Sequence, residues 1–238
     1  GSHMSISEGD DAYIRSLIHF FGNQPDPWGI KDTKSVFIYA NQPFRELVGM
    51  KNRNVEGLTD ADMDCETAAF ADSFQAQDRL VEQGREKKIV LDVHPYANGW
   101  RVFTFTKTPL IMPSGRVAGT IFHGQDLTDT AGRIERAVVE LLLPSSGQAG
   151  SFETNVVGLN LTEREELVLF FLLRGRTAKD IAGMLGRSPR TIEHAIERIR
   201  NKFGAGNKRE LIDMAMSKGY YSMVPKALFH TQVSMLLK

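Results

Sequence analysis

The sequence predicts an α+β protein of two domains: an N-terminal five-stranded antiparallel sheet with helices, then an all-α C-terminal domain. Three observations carry this. Residues 28–125 read as two strands, a helical stretch and three further strands, punctuated by turn residues. Residues 178–203 read as two short helices joined by three residues. The third observation is that the zero net charge of the 238 residues divides unevenly. From Leu159 to the end there are 14 Lys and Arg against 8 Asp and Glu, a net of +6, while the preceding 158 residues hold 15 against 21, a net of −6. A basic C-terminal domain behind an acidic N-terminal one points to a polyanionic partner for the former.

Composition narrows the class. Apolar content of 42% and charged content of 24% are ordinary for a soluble globular protein. Gly1-Ser2-His3 reads as the remnant of a cleaved tag, with Met4 the expected native start. No apolar run reaches the ~18 residues of a membrane span, and no signal peptide is present, so a cytoplasmic location is expected. Cys65 is the single cysteine, which excludes an intramolecular disulfide and a cysteine-cluster zinc site. There is no Gly-rich phosphate loop, metal-ligand cluster or nucleophile elbow. The expectation is therefore no catalytic residues, no metal, no required cofactor and no enzyme activity.

Taken in order, Asp11–Phe21 is an amphipathic helix, broken by Asn23–Pro27. Trp28–Lys31 is a short strand, Asp32-Thr33-Lys34 a turn, and Ser35–Asn41 (SVFIYAN) a segment rich in β-formers. Phe44–Val48 is a short helix ended by Gly49. The polar stretch Lys51–Asp64 contains Leu58-Thr59-Asp60, a helix cap, and Glu66–Gly84 is a longer helix carrying Phe70, Phe74 and Leu80. Strands Lys87–His94, Trp100–Met112 and Arg116–Gln125 follow, separated by the turns Ala97-Asn98-Gly99 and Pro113-Ser114-Gly115. This order gives a five-stranded antiparallel sheet with helices on one face. Tyr39-Ala40-Asn41 leading into Phe44, Gly57-Leu58-Thr59-Asp60, the closing pair of long strands and the exit Asp126-Leu127-Thr128 resemble a PAS domain over residues 11–128.

Residues 129–158 connect the domains. Asp129–Leu143 reads as a helix whose Ile134, Ala137, Val138, Leu141 and Leu142 suit pairing with a twin or packing on the sheet. Pro144–Gly150 (PSSGQAG) has the composition of a flexible linker, and the domain boundary is placed there.

The second helix of the C-terminal pair, Ser188–Phe203, has both ends marked. Ser188 is an N-cap, Pro189 takes the first helical position, and Gly204 and Gly206 end the helix. Ile192, Ala195, Ile196, Ile199 and Phe203 form a stripe to be buried. Arg190, Thr191, Glu193, His194, Glu197, Arg198 and Arg200 occupy the other face. The preceding helix, Ala178–Leu185, is joined to it by Gly186-Arg187-Ser188, which makes a helix-turn-helix whose second helix enters a DNA major groove. LTEREELVLFFLLRGRTAKDIAGMLGRSPRTIEHAIERIRNKFGA resembles the LuxR-type DNA-binding domain of bacterial transcription factors, placed at residues 159–222. The resemblance implies promoter DNA as a partner, with Lys179, Arg190, Thr191, Glu193, His194, Glu197 and Arg198 as the DNA-binding residues. Glu193 and Ala195 stand where many relatives carry Lys and His, so base preference does not carry over. One helix-turn-helix covers a half-site, so a homodimer is expected. Residues 223–238 form an extension expected to be an apolar helix.

Strand alternation identifies candidate pocket residues. Phe103, Phe105 and Lys107 share one side of their strand and Val102, Thr104 and Thr106 the other, while Phe37, Tyr39 and Asn41 share a side of theirs. A lysine among apolar neighbours needs a partner. Lys107 either meets a small polar aromatic ligand, or sits at the rim, or pairs with an acid such as Asp72. The whole chain resembles the VqmA class of quorum-sensing receptors, in which a PAS domain binds a small alkylated hydroxypyrazine autoinducer. That resemblance implies a ligand-responsive transcription regulator and maps the pocket to Tyr39, Phe70, Phe105 and Lys107. Two alternatives stay open: a PAS interaction module with an empty pocket, signalled by a partner protein, and a haem-type PAS sensor using His94 or His123. A flavin photosensor is disfavoured because Cys65 sits in Asp-Cys-Glu rather than Asn-Cys-Arg.

Overall fold

The computed structural model describes residues 8–128 and 159–237. The expectations for Gly1-Ser2-His3, the connecting helix with its apolar stripe, and the flexible linker with its boundary fall outside these residues. The described residues form two compact units, residues 8–128 with 235–237 and residues 159–234.

In the first unit the chain runs α1 (Glu8–Gly22), β1 (Trp28–Asp32), β2 (Phe37–Ala40), α2 (Gln42–Leu47), 3₁₀ turns at Asp60–Asp62 and Glu66–Phe70, and α3 (Ala71–Gly84). Strands β3 (Lys88–Tyr96), β4 (Gly99–Ile111) and β5 (Val117–Asp126) complete the meander. Among the described residues the sheet has six strands, in the order β2-β1-β5-β4-β3-β6, where β6 is Val233–Leu237. The five expected strands are all present, and the sixth corrects the expectation of an apolar C-terminal helix. Pro225 leads into a 3₁₀ turn, Lys226–Phe229, and only five residues of regular structure follow. So short a segment cannot sustain a helix alone. The outer edge of β3 offers unpaired N–H and C=O groups that a strand can satisfy, and Val233 and Met235 are buried.

Both sheet faces are apolar. On one, Phe37, Phe44, Met50, Met63, Tyr96, Phe103, Phe105 and Phe122 form a single cluster with α2 and the 3₁₀ turns. On the other, Ile14, Leu17, Ile18 and Phe21 of α1 recur at helical spacing and pack against Ile30, Leu110 and Met112. Helices therefore cover two faces rather than one. Alternation also fails on β2. Ile30 pairs with Tyr39 but Lys31 with Phe37, so Ile38 is an extra residue on β2. This bulge sends Tyr39 to the α1 side with Ile30 and leaves Phe37 on the side of Lys31.

Asn41 joins these parts. It is fully buried. Its Nδ2 donates to the carbonyls of Phe21 (3.0 Å) and Asp26 (2.8 Å), and its Oδ1 accepts from the backbone N–H of Trp28 (3.0 Å) and Phe44 (3.2 Å). One amide thus ends α1, shapes the following loop, starts β1 and caps α2.

The second unit is helical: α4 (Glu163–Leu173), α5 (Ala178–Leu185), α6 (Pro189–Phe203) and α7 (Lys208–Ser217). Capping boxes open α4 (Thr162 with Glu165) and α5 (Thr177 with Asp180). Ser188 caps α6 by accepting from Thr191 N–H at 3.1 Å. Gly186 and Gly204 take the left-handed conformation that closes α5 and α6. Ile192, Ala195, Ile199 and Phe203 are buried, with Ile196 half-buried beside them.

Asn41→Ala leaves four backbone groups without their partner, so it should lower the stability of the first unit by about 3 kcal/mol. Urea unfolding followed by tryptophan fluorescence measures this. A loss below about 1 kcal/mol would show that the four bonds are not limiting.

Candidate ligand pocket and DNA-reading helix

The face of the first unit covered by α2, the 3₁₀ turns and α3 carries a cavity of about 50 Å³. A buried water needs about 10–15 Å³, so the space holds about four waters, the volume of one small ring. Its walls are the rings of Phe37, Phe44, Phe74, Tyr96, Phe105 and Phe122, and its polar groups include Lys31, Asp60, Asp92 and Lys107. Strand register assembles it. Phe105 and Lys107 alternate inward on β4, Phe122 stands opposite Lys107 on β5, and the β2 bulge sets Phe37 beside Lys31. Two glycines make room for the aromatic walls. A Cβ at Gly124 would lie 2.7 Å from the Phe105 ring, and one at Gly29 would lie 2.2 Å from the Phe122 ring.

Asp78 of α3 has no exposure and binds both lysines of this cavity. Its Oδ2 lies 2.6 Å from Lys31 Nζ and accepts from Ser35 Oγ at 2.7 Å, while its Oδ1 accepts from Lys107 Nζ at 2.9 Å. Lys31 also donates to Asp60 Oδ2 (3.0 Å), and Lys107 to the Phe74 carbonyl (3.2 Å). Ser35 accepts at 2.8 Å from Arg79 and keeps a positive φ of 59°. Burial alone would push the Asp78 carboxyl up, but Lys107 and Lys31 outweigh it and hold the group well below the usual carboxylate range. For Lys31, burial is outweighed by Asp60 and Asp78, and its pKa is raised. For Lys107, burial prevails over the attraction of Asp78, the charge of Lys31 adds to it, and the pKa is lowered.

Of the four pocket residues expected from sequence, Phe105 and Lys107 line the cavity. Phe70 is buried behind that wall, its ring on those of His94 (5.0 Å) and Phe74 (6.4 Å). Tyr39 lies on the α1 face for the reason given by the bulge. The acid paired with Lys107 is Asp78, not Asp72, which is exposed. Lys31, Asp60 and Asp78 were missed. A lysine inside the short apolar strand Trp28–Lys31, and an acid one helical turn beyond Phe74, were the available signals.

In the second unit Lys179, Arg190, Glu193, His194, Glu197 and Arg198 are exposed and Thr191 is half-buried. Arg198 Nε lies 3.5 Å from the buried carboxylate of Glu165, which also accepts from Lys202 and from the Thr162 N–H. Arg164, outside the expected set, stands near both Arg187 and Arg198. The Arg164 pKa is lowered by burial and then by the charges of Arg187 and Arg198. Arg200 is turned back, its guanidinium donating to the Ala205 carbonyl at 2.9 Å.

The chain is similar along 98% of its length to all of a phage VqmA crystallised in complex with DPO, at 93% identity and a TM-score of 0.59. The chain belongs to the VqmA class of PAS–LuxR regulators. Two Vibrio cholerae structures agree. A VqmA dimer without target DNA is 39% identical over 94% of this chain and 96% of its own (TM-score 0.63). A VqmA–ligand–DNA complex is 42% identical over the same two shares (TM-score 0.51). Residues 21–132 match the PAS fold family, and residues 159–215 match the bacterial regulatory proteins of the luxR family. The transcriptional regulatory protein YdfI of Bacillus subtilis is 42% identical over 59 residues, and the match spans only 28% of YdfI. The VqmA class comprises LuxR-type transcription regulators rather than enzymes. Among the described residues of this member, no helix is long and apolar enough to cross a membrane.

Asp78→Ala in this VqmA-class chain would leave two buried ammonium groups without their shared carboxylate. It should destabilise the first unit by about 3–5 kcal/mol. Lys107→Met, which leaves Asp78 paired to Lys31, should cost clearly less. Denaturant midpoints of the two variants give the comparison, and equal losses would contradict the ranking.

Proposed function

We propose that this chain is a cytoplasmic, ligand-responsive regulator whose PAS cavity takes DPO, as the alkylated hydroxypyrazine expected of its class, and whose α6 reads promoter DNA. One observation carries this reading. A cavity of single-ring size, walled by phenylalanines and floored by lysines, sits in a chain nearly identical to a VqmA captured with DPO. Phenylalanine rings stack on the ligand ring, and Lys107 supplies an N–H to a ring nitrogen or oxygen. Phe105 and Lys107 touch the ligand, and Phe70 supports the wall from behind through Phe74 and His94. On DNA, Arg190, His194 and Arg198 stand at the groove-facing end of the motif, with Lys179 on the backbone. The protein acts as a homodimer on two half-sites. A haem fits poorly, because the cavity is far smaller than a macrocycle and His94 Nε2 is bonded to Asp92 at 3.0 Å.

Ligand binding to the native state raises the melting temperature by mass action, by about 2.7 kcal/mol of stability at a hundredfold excess over Kd. DPO should therefore stabilise the wild type in a thermal-shift assay, and Lys107→Ala should lose most of that response while keeping its fold. In gel shifts at fixed salt, Arg190→Ala should weaken promoter binding by about 1–3 kcal/mol. A wild type that no small molecule stabilises would favour the partner-signalled alternative.

A further inference from the structure

We infer that the cavity selects an uncharged ring, and that Asp60, through its bond to Lys31, sets this selection against anions. The inference rests on the cavity being the ligand site.

The buried groups around the cavity balance in charge. Lys31 and Lys107 are 3% and 5% exposed, and Asp60 and Asp78 are 7% and 0% exposed. Each ammonium already has a carboxylate. Lys31 lies between Asp60 (3.0 Å) and Asp78 (2.6 Å), and Lys107 lies on Asp78 (2.9 Å). Two positive groups thus face two negative ones. Asp92 adds a third carboxylate to the wall, bonded to His94 Nε2 at 3.0 Å. Whatever the charge of His94, the wall holds no surplus cation to meet an anion.

A ring carrying a carboxylate must therefore stay unpaired inside the protein, or take a lysine from the cluster and leave the buried carboxylates with one uncompensated negative charge. Both outcomes strand a buried charge, which is strongly unfavourable. A neutral heteroaromatic avoids the conflict. Lys107 spends two of its three N–H donors on Asp78 and the Phe74 carbonyl, which leaves one for a ring nitrogen or oxygen. Asp92 and Asp60 present acceptors to a ligand N–H or O–H. Two buried lysines thus coexist with a preference for neutral ligands.

Asp60 is the place to test this. Asp78 holds both lysines, so replacing it disturbs both. Asp60 holds only Lys31, and Lys31 keeps Asp78 when Asp60 changes. Asp60→Asn retains the shape and one acceptor oxygen but leaves the cluster with one surplus positive charge.

The experiment is calorimetric titration of the full chain with two probes of similar size, a methylated hydroxypyrazine and a pyrazinecarboxylate, at neutral pH. The wild type should bind the hydroxypyrazine and bind the carboxylate at least about a hundredfold more weakly. Asp60→Asn should narrow that ratio by about tenfold or more, chiefly by tightening the carboxylate. Asp60→Glu, which restores the charge, should keep a wide ratio, as a merely structural role for Asp60 would not require. Comparable binding of both probes to the wild type overturns the inference and leaves the ligand site standing, as does an unchanged ratio in a folded Asp60→Asn. Should that variant not fold, the wild-type ratio alone decides. Failure of both probes to bind the wild type defeats the ligand reading itself, and the inference with it.

Discussion

Asp78 is closed off from water, and two lysines depend on it. Taking four charged groups into a protein interior is unfavourable, and an apolar set of similar volume would stabilise a sheet-and-helix core at least as well. What the charged set provides is position. Ser35 fixes one oxygen of Asp78, the two ammonium groups fix both, and Lys107 is held with a donor to spare at the edge of an aromatic cavity. Charge and shape are arranged together here. The same strand alternation that brings Lys107 inward brings Phe105 with it, and the glycines at 29 and 124 leave room for the neighbouring rings to approach the sheet closely.

The helical unit solves a different problem by more local means. Its helices begin at Thr162, Thr177, Ser188 and Asn207, each of which accepts a hydrogen bond from a backbone N–H three residues on. Among the described residues there, Glu165 is the deeply buried acid, tied to Lys202 and to the backbone at Thr162. Burial would raise its pKa, but these bonds outweigh it and lower the value, so the contact persists through neutral pH. This arrangement leaves the outer face of α6 to charged side chains without weakening the fold beneath.

Legibility followed sequence distance. The α5–α6 pair was readable to its end residues because Ser188, Pro189 and Gly204 act on their own helix. The meander was readable because its turns are local, and Phe105 with Lys107 because alternation on a long strand is strict. Tyr39 was misplaced by a single extra residue, Ile38, whose presence depends on pairing with β1. The charge cluster was missed because its members lie 29 residues apart, from Lys31 to Asp60 and from Asp78 to Lys107, and Ser35 lies 43 from Asp78. No pattern within one segment announces such a meeting. Strand β6 was missed for the same reason, since its conformation depends on the open edge of β3.

On the proposed function, the Asp78 cluster presents Lys107 to a ligand while remaining intact itself. A crystal structure of the full chain grown with DPO tests it directly. DPO should lie against the rings of Phe105 and Phe122, with a ring nitrogen or oxygen within hydrogen-bond distance of Lys107 Nζ and Lys31 still between Asp60 and Asp78. A ligand bound away from Lys107, or a complex in which Lys31 has left Asp78 to meet the ligand, would contradict it.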